Sequence, residues 1–393
     1  MPHLNCISKL LNLQALLFDI DNISENENQI IIPVSTKKKE HICPCCGMPT
    51  SYVHDYRIQY VKDIPFRHKI IVLKLRKRRY VCNNCGKRFF EHYDFLPKYY
   101  HSSNRLFANI LYELQDKLSF KTIAKNNFVS TNTVSRALKL VHFTDKPELP
   151  EVLGIDEFKG NCNSEKYQVQ LTDIAHQKTL DILFCRKKAF LHSYFNRYSL
   201  QERQKVKYFV IDMWNDYKSL SVLFPNAKVI VDKYHYVRQV FWALDGVRKR
   251  IQKDFFKPKR IFFKKSRYLL FKNHNELEIE ECLTLENMLN QNETLKAAWK
   301  LKELFYDILH SKKRKGLNDL INWLEEAENA KISEFENCIK SLKRWRHYIA
   351  ESLQVSYTNA YTEGKHNLIK TLKRNAFGFR NFEHMRKRIL LCS

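Results

Sequence analysis

The chain has 393 residues, 44% hydrophobic and 28% charged, the balance of a folded protein with room for two or three domains. Its 68 Lys and Arg against 42 Asp and Glu leave a net charge of +26, which a fold does not need and a polyanionic partner would offset through counterion release. None of the 8 glycines sits in G-x-G-x-x-G or G-x-x-x-x-G-K-[ST] spacing, so a dinucleotide fingerprint and a P-loop are excluded and any phosphate chemistry falls to metals or side chains.

Residues 1–40 hold one apolar stretch, Leu10 to Ile20, then a polar, Asn-rich link ending in Lys37, Lys38 and Lys39. That stretch is interrupted by Asn12, Gln14 and Asp19 and is too short for a membrane span. It also lacks the basic start and small-residue cleavage site of a signal peptide. Of the 11 cysteines, four form two C-x-x-C pairs, a pattern of metal ligation in a reducing cytoplasm and not of a disulfide framework.

Residues 41–97 read as short strands around two knuckles, Cys43-Pro-Cys-Cys46-Gly and Cys82-Asn-Asn-Cys85-Gly. A Gly directly after each pair suits a tight turn whose N–H groups point at the thiolates. Two such turns bring four sulfurs around one tetrahedral, structural Zn²⁺, with Cys45 as a spare ligand. Between them runs a basic edge, Lys74, Arg76, Lys77, Arg78 and Arg79, suited to phosphate contacts.

Residues 98–146 are helical. Phe120–Asn126 reads as one helix and a second begins near Ser130, with Ile123, Ala124, Val129, Val134 and Leu138 packing the pair together. Thr131, Asn132, Thr133, Ser135 and Arg136 face outward, polar and short enough to reach base edges. The pattern is a helix-turn-helix with the second helix as reader, a plain helical hairpin being the alternative. Asn126-Asn127 stands where such turns often carry Gly, Asn tolerating the left-handed conformation.

Pro147 and Pro150 mark a boundary. β-type runs follow at Val152–Ile155, Tyr167–Ile174, Leu180–Phe184, Tyr208–Ile211 and Val229–Val231, which suggests a mixed sheet flanked by helices. Three of them run straight into carboxylates, Asp156-Glu157, Asp212 and Asp232. One such Asp is commonly a cap or turn residue; three at aligned strand ends point to a site. From about 241 to 355 the pattern is helical, with apolar stripes at Leu295, Ala298, Trp299, Phe305 and Leu309, at Leu320, Trp323 and Leu324, and at Ile339, Leu342, Trp345 and Ile349. A last helix places Asn359, Glu363, Asn367, Lys370 and Arg374 on one face and Leu368, Ile369 and Leu372 on the other, either a solvated charged face or a metal ligand beside a phosphate track.

Taken together these blocks resemble the DDE transposases of bacterial insertion sequences, specifically the ISL-three family. The resemblance covers nearly the whole chain: the Cys knuckles, the helix-turn-helix, Gly154-Ile-Asp156-Glu-Phe158, Val210-Ile-Asp212-Met-Trp214, and Glu363-Gly-Lys-His-Asn367-Leu-Ile-Lys370 running on to Lys373-Arg374-Asn-Ala-Phe-Gly378. Asp232-Lys-Tyr-His235 resembles a D-x-x-H element of related families. After Asp156 the chain departs from the family, Lys159-Gly-Asn-Cys-Asn-Ser lacking its basic pair.

The resemblance implies an α/β protein: an RNase H-like mixed-sheet catalytic core over 150–240 and 356–393 with an all-helical insertion over 241–355, preceded by the zinc ribbon and the helix-turn-helix. It implies Asp156, Asp212 and Glu363 as a metal-binding triad for two Mg²⁺ (or Mn²⁺), Asp156 reaching both ions. Asp232 is the second choice for the middle position, and His235 either positions a phosphate or water or is simply packed. The expected activity is cleavage and strand transfer on double-stranded DNA, the element's terminal inverted repeats and its target, by a homo-oligomer in the bacterial cytoplasm, with no membrane partner. Lys74, Arg76, Arg78, Arg79, Asn132, Thr133, Arg136, Asn367, Lys370, Lys373 and Arg374 are the expected DNA contacts. A sequence-specific regulator or inactive derivative without catalysis is the alternative, and a nuclease that cuts without joining would share every catalytic residue.

Overall fold

The computed structural model describes residues 16–18 (backbone only), 22–310 and 316–393; the Leu10–Ile20 stretch lies largely outside them. Two compact units emerge, Met1–Phe143 with Ile369–Cys392, and Thr144–Leu368 with Ser393. Among the described residues no helix is long and apolar enough to cross a membrane.

The first unit opens with β1 (Leu16–Phe18), β2 (Ser24–Glu25), β3 (Gln29–Thr36), β4 (His41–Ile42), β5 (Pro49–Thr50), β6 (Val53–Phe66), β7 (Lys69–Val81) and β8 (Arg88–Phe90). The main sheet runs β1-β3-β7-β6, with β2 on β3 and β8 on β7; β4 and β5 pair separately. Two expectations change here. The polar link contains β3, whose run Ile30-Ile-Ile-Pro-Val34 pairs in parallel with β7. The short strands between the knuckles are instead one hairpin of 14- and 13-residue strands, turned at Arg67 and His68, both left-handed (φ 47° and 60°). Alternation explains their length: Val61, Ile71, Leu73 and Leu75 fill one face with Ile32, Val34, Tyr93 and Leu96.

Three helices follow, Asn104–Glu113, Phe120–Asn126 and Thr131–Leu140, capped by Ser103, Ser119 and Ser130. Ile123, Ala124, Val134 and Leu138 bury between them, with Val129 half-buried. The left-handed residue of the turn is Phe128 (φ 52°), not an Asn. Asn127 instead spends its side chain on fixing the turn: it accepts from Asn109 and donates to Glu113 and to the Ile123 carbonyl. The C-terminal helix Phe382–Leu391, expected with the catalytic core, packs on this cluster. Its buried Arg388 donates to the Asp116 and Leu118 carbonyls at 2.6 and 2.7 Å.

The second unit is built on a five-stranded sheet of order β11-β10-β9-β12-β13, from β9 (Val152–Phe158), β10 (Gln168–Asp173), β11 (Lys178–Leu183), β12 (Tyr208–Ile211) and β13 (Lys228–Val231). β9, β10 and β11 are antiparallel; β9, β12 and β13 are parallel. Leu153, Ile155, Phe209, Ile211, Val229 and Val231 face one large core. That core continues without a break into the helical region, through Leu295, Ala298, Phe305, Leu320, Trp323, Leu324, Ile339, Leu342, Trp345 and Ile349. Lys302, on the same stripe, is fully buried, its ammonium donating to the Lys272 carbonyl at 2.9 Å and paired with Glu303. On the opposite face Val152, Val210, Ile230 and Ile174 form a small cluster that leaves the carboxyl ends of the parallel strands to polar residues.

Candidate active site and zinc centre

The two knuckles fold identically. Gly47 N–H donates to the Cys43 carbonyl and Gly86 N–H to that of Cys82, at 3.0 and 2.9 Å, and both glycines are left-handed (φ 73° and 69°). The four sulfurs of Cys43, Cys46, Cys82 and Cys85 lie within 4.8 Å of one another, the one such gathering of metal-ligand groups among the described residues. Their thiols are unevenly poised. The Met48 N–H leads in drawing Cys46 down to about 6, whereas at Cys85 the pull of the Lys87 N–H is outweighed by burial and three neighbouring sulfurs, and the thiol rises to about 12. Four thiolates at this spacing need a cation, and their softness and number fit Zn²⁺. Cys45 is exposed, its N–H 3.4 Å from Cys43 Sγ.

The carboxylates are placed by strand parity. Leu153 and Ile155, Phe209 and Ile211, and Val229 and Val231 face the large core, so Asp156, Asp212 and Asp232 must face the other way. β9 and β12 pair Val210 with Gly154, and β12 and β13 pair Ile211 with Val231. Carried on, those registers set Asp156, Asp212 and Asp232 in one row across three adjacent strands. Asp156 does not end its strand: β9 runs on to Phe158, because β10 pairs antiparallel along its whole length, with Gln170 opposite Asp156. Gly154 leaves room for Ile174, since a Cβ there would meet Ile174 Cδ1 at 2.6 Å and force that side chain to move.

The helix Ala360–Asn375 lies against this polar face. Thr362 donates to Thr172 across 3.2 Å, Asn359 N–H donates to Asp232 Oδ1 at 3.1 Å, and His366 Nδ1 stands 3.6 Å from Asp156 Oδ2. Asn359 is therefore not part of the expected helical stripe. It precedes the helix and is buried, with both side-chain amide atoms unpaired. Glu363 is exposed, yet its carboxyl is raised, by burial first and then by the charge of Asp232 and of Asp212, with His235 and Arg238 opposing. Asp156 is pushed up to about 9, by burial and then by Asp212; Asp232 is raised for the same first reason. His235 Nε2 lies 3.1 Å from Asp212 Oδ1, out of line for a hydrogen bond. Burial works to lower this imidazole, but Asp212 outweighs it and the ring is held above its ordinary value.

A row of carboxylates in which Asp156, Asp232 and Glu363 are raised by burial and by the charges beside them, with His235 opposing at Asp232 and Glu363, is a donor set that suits hard divalent cations. Asp212 and Asp232 each act on both Asp156 and Glu363. Sequence reasoning missed His366, Thr362 and Arg238. The i+3 spacing of His366 from Glu363 was the available signal for the first; Arg238, whose guanidinium is 3.4 Å from His235 Nδ1, gave none.

The expected DNA contacts fare unevenly. β7 is an inner strand, so the basic run is not an edge. Arg78 is turned inward onto the Thr36 carbonyl (2.7 Å) and Glu91, and Arg79 pairs with Asp55. Lys74 is half-buried and Arg76 exposed. Thr133 is buried, not outward-facing, because its hydroxyl meets the Ser130 cap and accepts from Arg136 Nη2 at 3.1 Å. Asn132, Arg136, Asn367, Lys370 and Arg374 are exposed and Lys373 is half-buried.

A mixed-sheet α/β domain with an acidic row across three adjacent strands, in a chain that also carries a four-thiol ribbon, fits a metal-dependent enzyme with a zinc-finger module. The transposase profile of the ISL-three DDE class matches residues 153–389, and the zinc finger of the transposases of IS204, IS1001, IS1096 and IS1165 matches residues 39–85. The chain belongs to the ISL-three family of DDE transposases and is a DNA-cleaving enzyme of that class. It is 26% identical to the transposase for insertion sequence element IS1001 of Bordetella parapertussis, over 88% of this chain and 87% of that one. The transposase for insertion sequence element IS1557 of Mycobacterium tuberculosis is 29% identical over 30% of this chain and 27% of its own length. A Lactococcus lactis subsp. lactis protein named as an ATP-dependent protease is 28% identical over 30% of this chain and 36% of its own.

Proposed function

We propose that this protein binds the terminal inverted repeats of its own insertion sequence, cleaves them and joins the freed ends to target DNA. The observation that carries the reading is the row formed by Asp156, Asp212 and Asp232 on one face of the sheet, with Glu363 brought toward it by a helix from far along the chain. The antiparallel three-strand meander extended by two parallel strands is read as an RNase H-like core, with the helices between β13 and Ala360 as its insertion. The pair Phe120–Asn126 and Thr131–Leu140 is read as a helix-turn-helix presenting Asn132 and Arg136 to base edges.

Asp156, Asp212 and Glu363 would hold two Mg²⁺ or Mn²⁺, with Asp232 the alternative in the middle position. Bound there, the cations would activate the attacking oxygen and stabilise the leaving one in an in-line displacement. The chain's own residues fix the carboxylates beforehand. Asn359 N–H pins one oxygen of Asp232, and Glu157 N–H pins one oxygen of Asp156 at 2.7 Å. His235 beside Asp212 and His366 beside Asp156 lower the repulsion within the row. Cys43, Cys46, Cys82 and Cys85 would hold one structural Zn²⁺. Lys370, Lys373 and Arg374 would follow the DNA backbone beyond Glu363, and two copies would hold the two element ends in a bacterial cytoplasm.

The test is a cleavage and joining assay on duplexes carrying the element's ends, with Mg²⁺. Cleaved ends joined to a target plasmid are expected. Cutting without joining would make the protein a nuclease, and end binding without cutting a regulator.

A further inference from the structure

We propose that the open face of the β6–β7 hairpin is a binding platform for unpaired DNA. Parity again decides the faces. Val61, Leu73 and Leu75 turn into the core, so Tyr56, Ile58, Tyr60 and Lys62 of β6 turn outward, with Arg76 and Lys74 of β7 paired opposite Ile58 and Tyr60, while Arg78 opposite Tyr56 is drawn inward onto Thr36 and Glu91. Tyr56, Ile58 and Tyr60 are 47%, 57% and 55% exposed. An exposed apolar row on an edge strand is an aggregation liability unless a ligand covers it.

The charge around the row names the ligand. β3, β6 and β7 carry two carboxylates between them, Asp55 and Asp63, and both sit on the other face, engaged by Arg79 and by Arg105 and Ser103. The open face holds cations alone. The Arg76 guanidinium lies 3.9 Å over the Tyr56 ring, so charge and aromatic surface are presented together. At its Tyr60 end the face opens into a groove of about 640 Å³ lined by Ile31, Tyr60, Lys62, Val72, Ser130 and Arg136 among others.

Alternating rings and cations on a flat strand suit a chain of splayed bases, which offer both π-faces and phosphates. A duplex hides its base faces and would use the cations alone. Tyr56 and Tyr60 are four strand positions apart, about 13 Å, a reach of a few nucleotides. The catalytic reading enters only in choosing DNA over RNA as the strand. A DNA-cutting enzyme that separates strands at a cleaved end needs somewhere to hold the freed one.

The experiment compares binding of the full-length protein, zinc-loaded and without added Mg²⁺, to a fluorescein-labelled 15-nucleotide oligo-dT and to a blunt 15-base-pair duplex of unrelated sequence. The Tyr56→Ala/Tyr60→Ala protein is expected to lose roughly tenfold or more in affinity for oligo-dT while its duplex affinity stays within about twofold. The Tyr56→Phe/Tyr60→Phe protein, which keeps the rings, is expected to bind oligo-dT as the parent does. Unchanged oligo-dT binding by the Ala pair overturns the proposal, as do equal losses on both probes or a Phe pair as weak as the Ala pair. No cleavage is read, so failure of the catalytic reading and failure of this one are separately visible.

Discussion

The zinc knuckles and the carboxylate row each bring together side chains of metal-ligand type, but they are assembled differently. Each knuckle is a turn closed by its own backbone, and the β6–β7 hairpin brings the two turns together with all four sulfurs within 4.8 Å. The carboxylates come from three separate strands and a helix some 130 residues further on; His366 stands beside Asp156 and His235 beside Asp212, and the Asn359 N–H donates to Asp232. A structural site gains from being closed, because the metal's binding energy becomes folding energy. In the carboxylate row, burial first and neighbouring charges after it raise the carboxyls of Asp156, Asp232 and Glu363, a cost that a bound cation would relieve.

Zinc removal tests the closed site and should have the largest effect. The Cys82→Ser/Cys85→Ser protein is expected to contain no zinc by metal analysis, and its hairpin sheet to lose cooperative melting, since such sites contribute on the order of 10 kcal/mol. In the open site, Asp156→Ala, Asp212→Ala or Glu363→Ala should each lower cleavage by more than about a thousandfold and leave duplex affinity unchanged, because ligands that act as a unit fail as one. Asp232→Asn should cost less, roughly 10–100-fold, if it supports the row rather than completing it. Full activity in Asp212→Ala with none in Asp232→Asn would exchange their roles.

A pH titration of stability sharpens the contrast. Asp156 stands at about 9 when folded, above its ordinary 3.8. The native state therefore keeps a proton that the unfolded chain gives up, and without divalent cations stability falls as pH rises from about 4 to about 9. Asp156→Asn should flatten most of that slope, leaving the smaller part due to Asp232 and Glu363, and raise the melting temperature at pH 8 by about several degrees. A slope undiminished in the Asn protein would assign it elsewhere. The smallest effects belong to DNA contacts: Arg136→Ala should cost about 1–3 kcal/mol on the element's ends and less on random duplex, while Lys74→Ala should weaken both alike and reduce the salt slope by about one.

Local signals were legible where a few neighbouring residues carry the whole instruction. The two C-x-x-C-G turns, the start of a helix near Ser130 and the apolar pairing of Phe120–Asn126 with Thr131–Leu140 could be read because each closes within about twenty consecutive positions. The Tyr208–Ile211 strand was equally plain, a bounded apolar run. Reading failed where a residue's partner is remote. Nothing near Arg78 says that Thr36 and Glu91 will claim it, and nothing near Thr133 says its hydroxyl will be taken by a cap and an arginine. β3 looked like a polar link because its neighbours in sequence are polar, although its partner β7 begins about 30 residues later.

The sequence by itself determined the family and the spacing of the four knuckle cysteines, and it drew notice to the carboxylates after the apolar strands, since these are matters of residue type at fixed intervals. Only the tertiary structure decided which carboxylates share a row, that β9 continues past Asp156, that His366 joins it, and that the basic run lies on an inner strand. The reason is physical. Parity and helical period fix which way a side chain points relative to its own element, but the face that becomes core, and hence the face left for chemistry, is fixed only when distant elements pack.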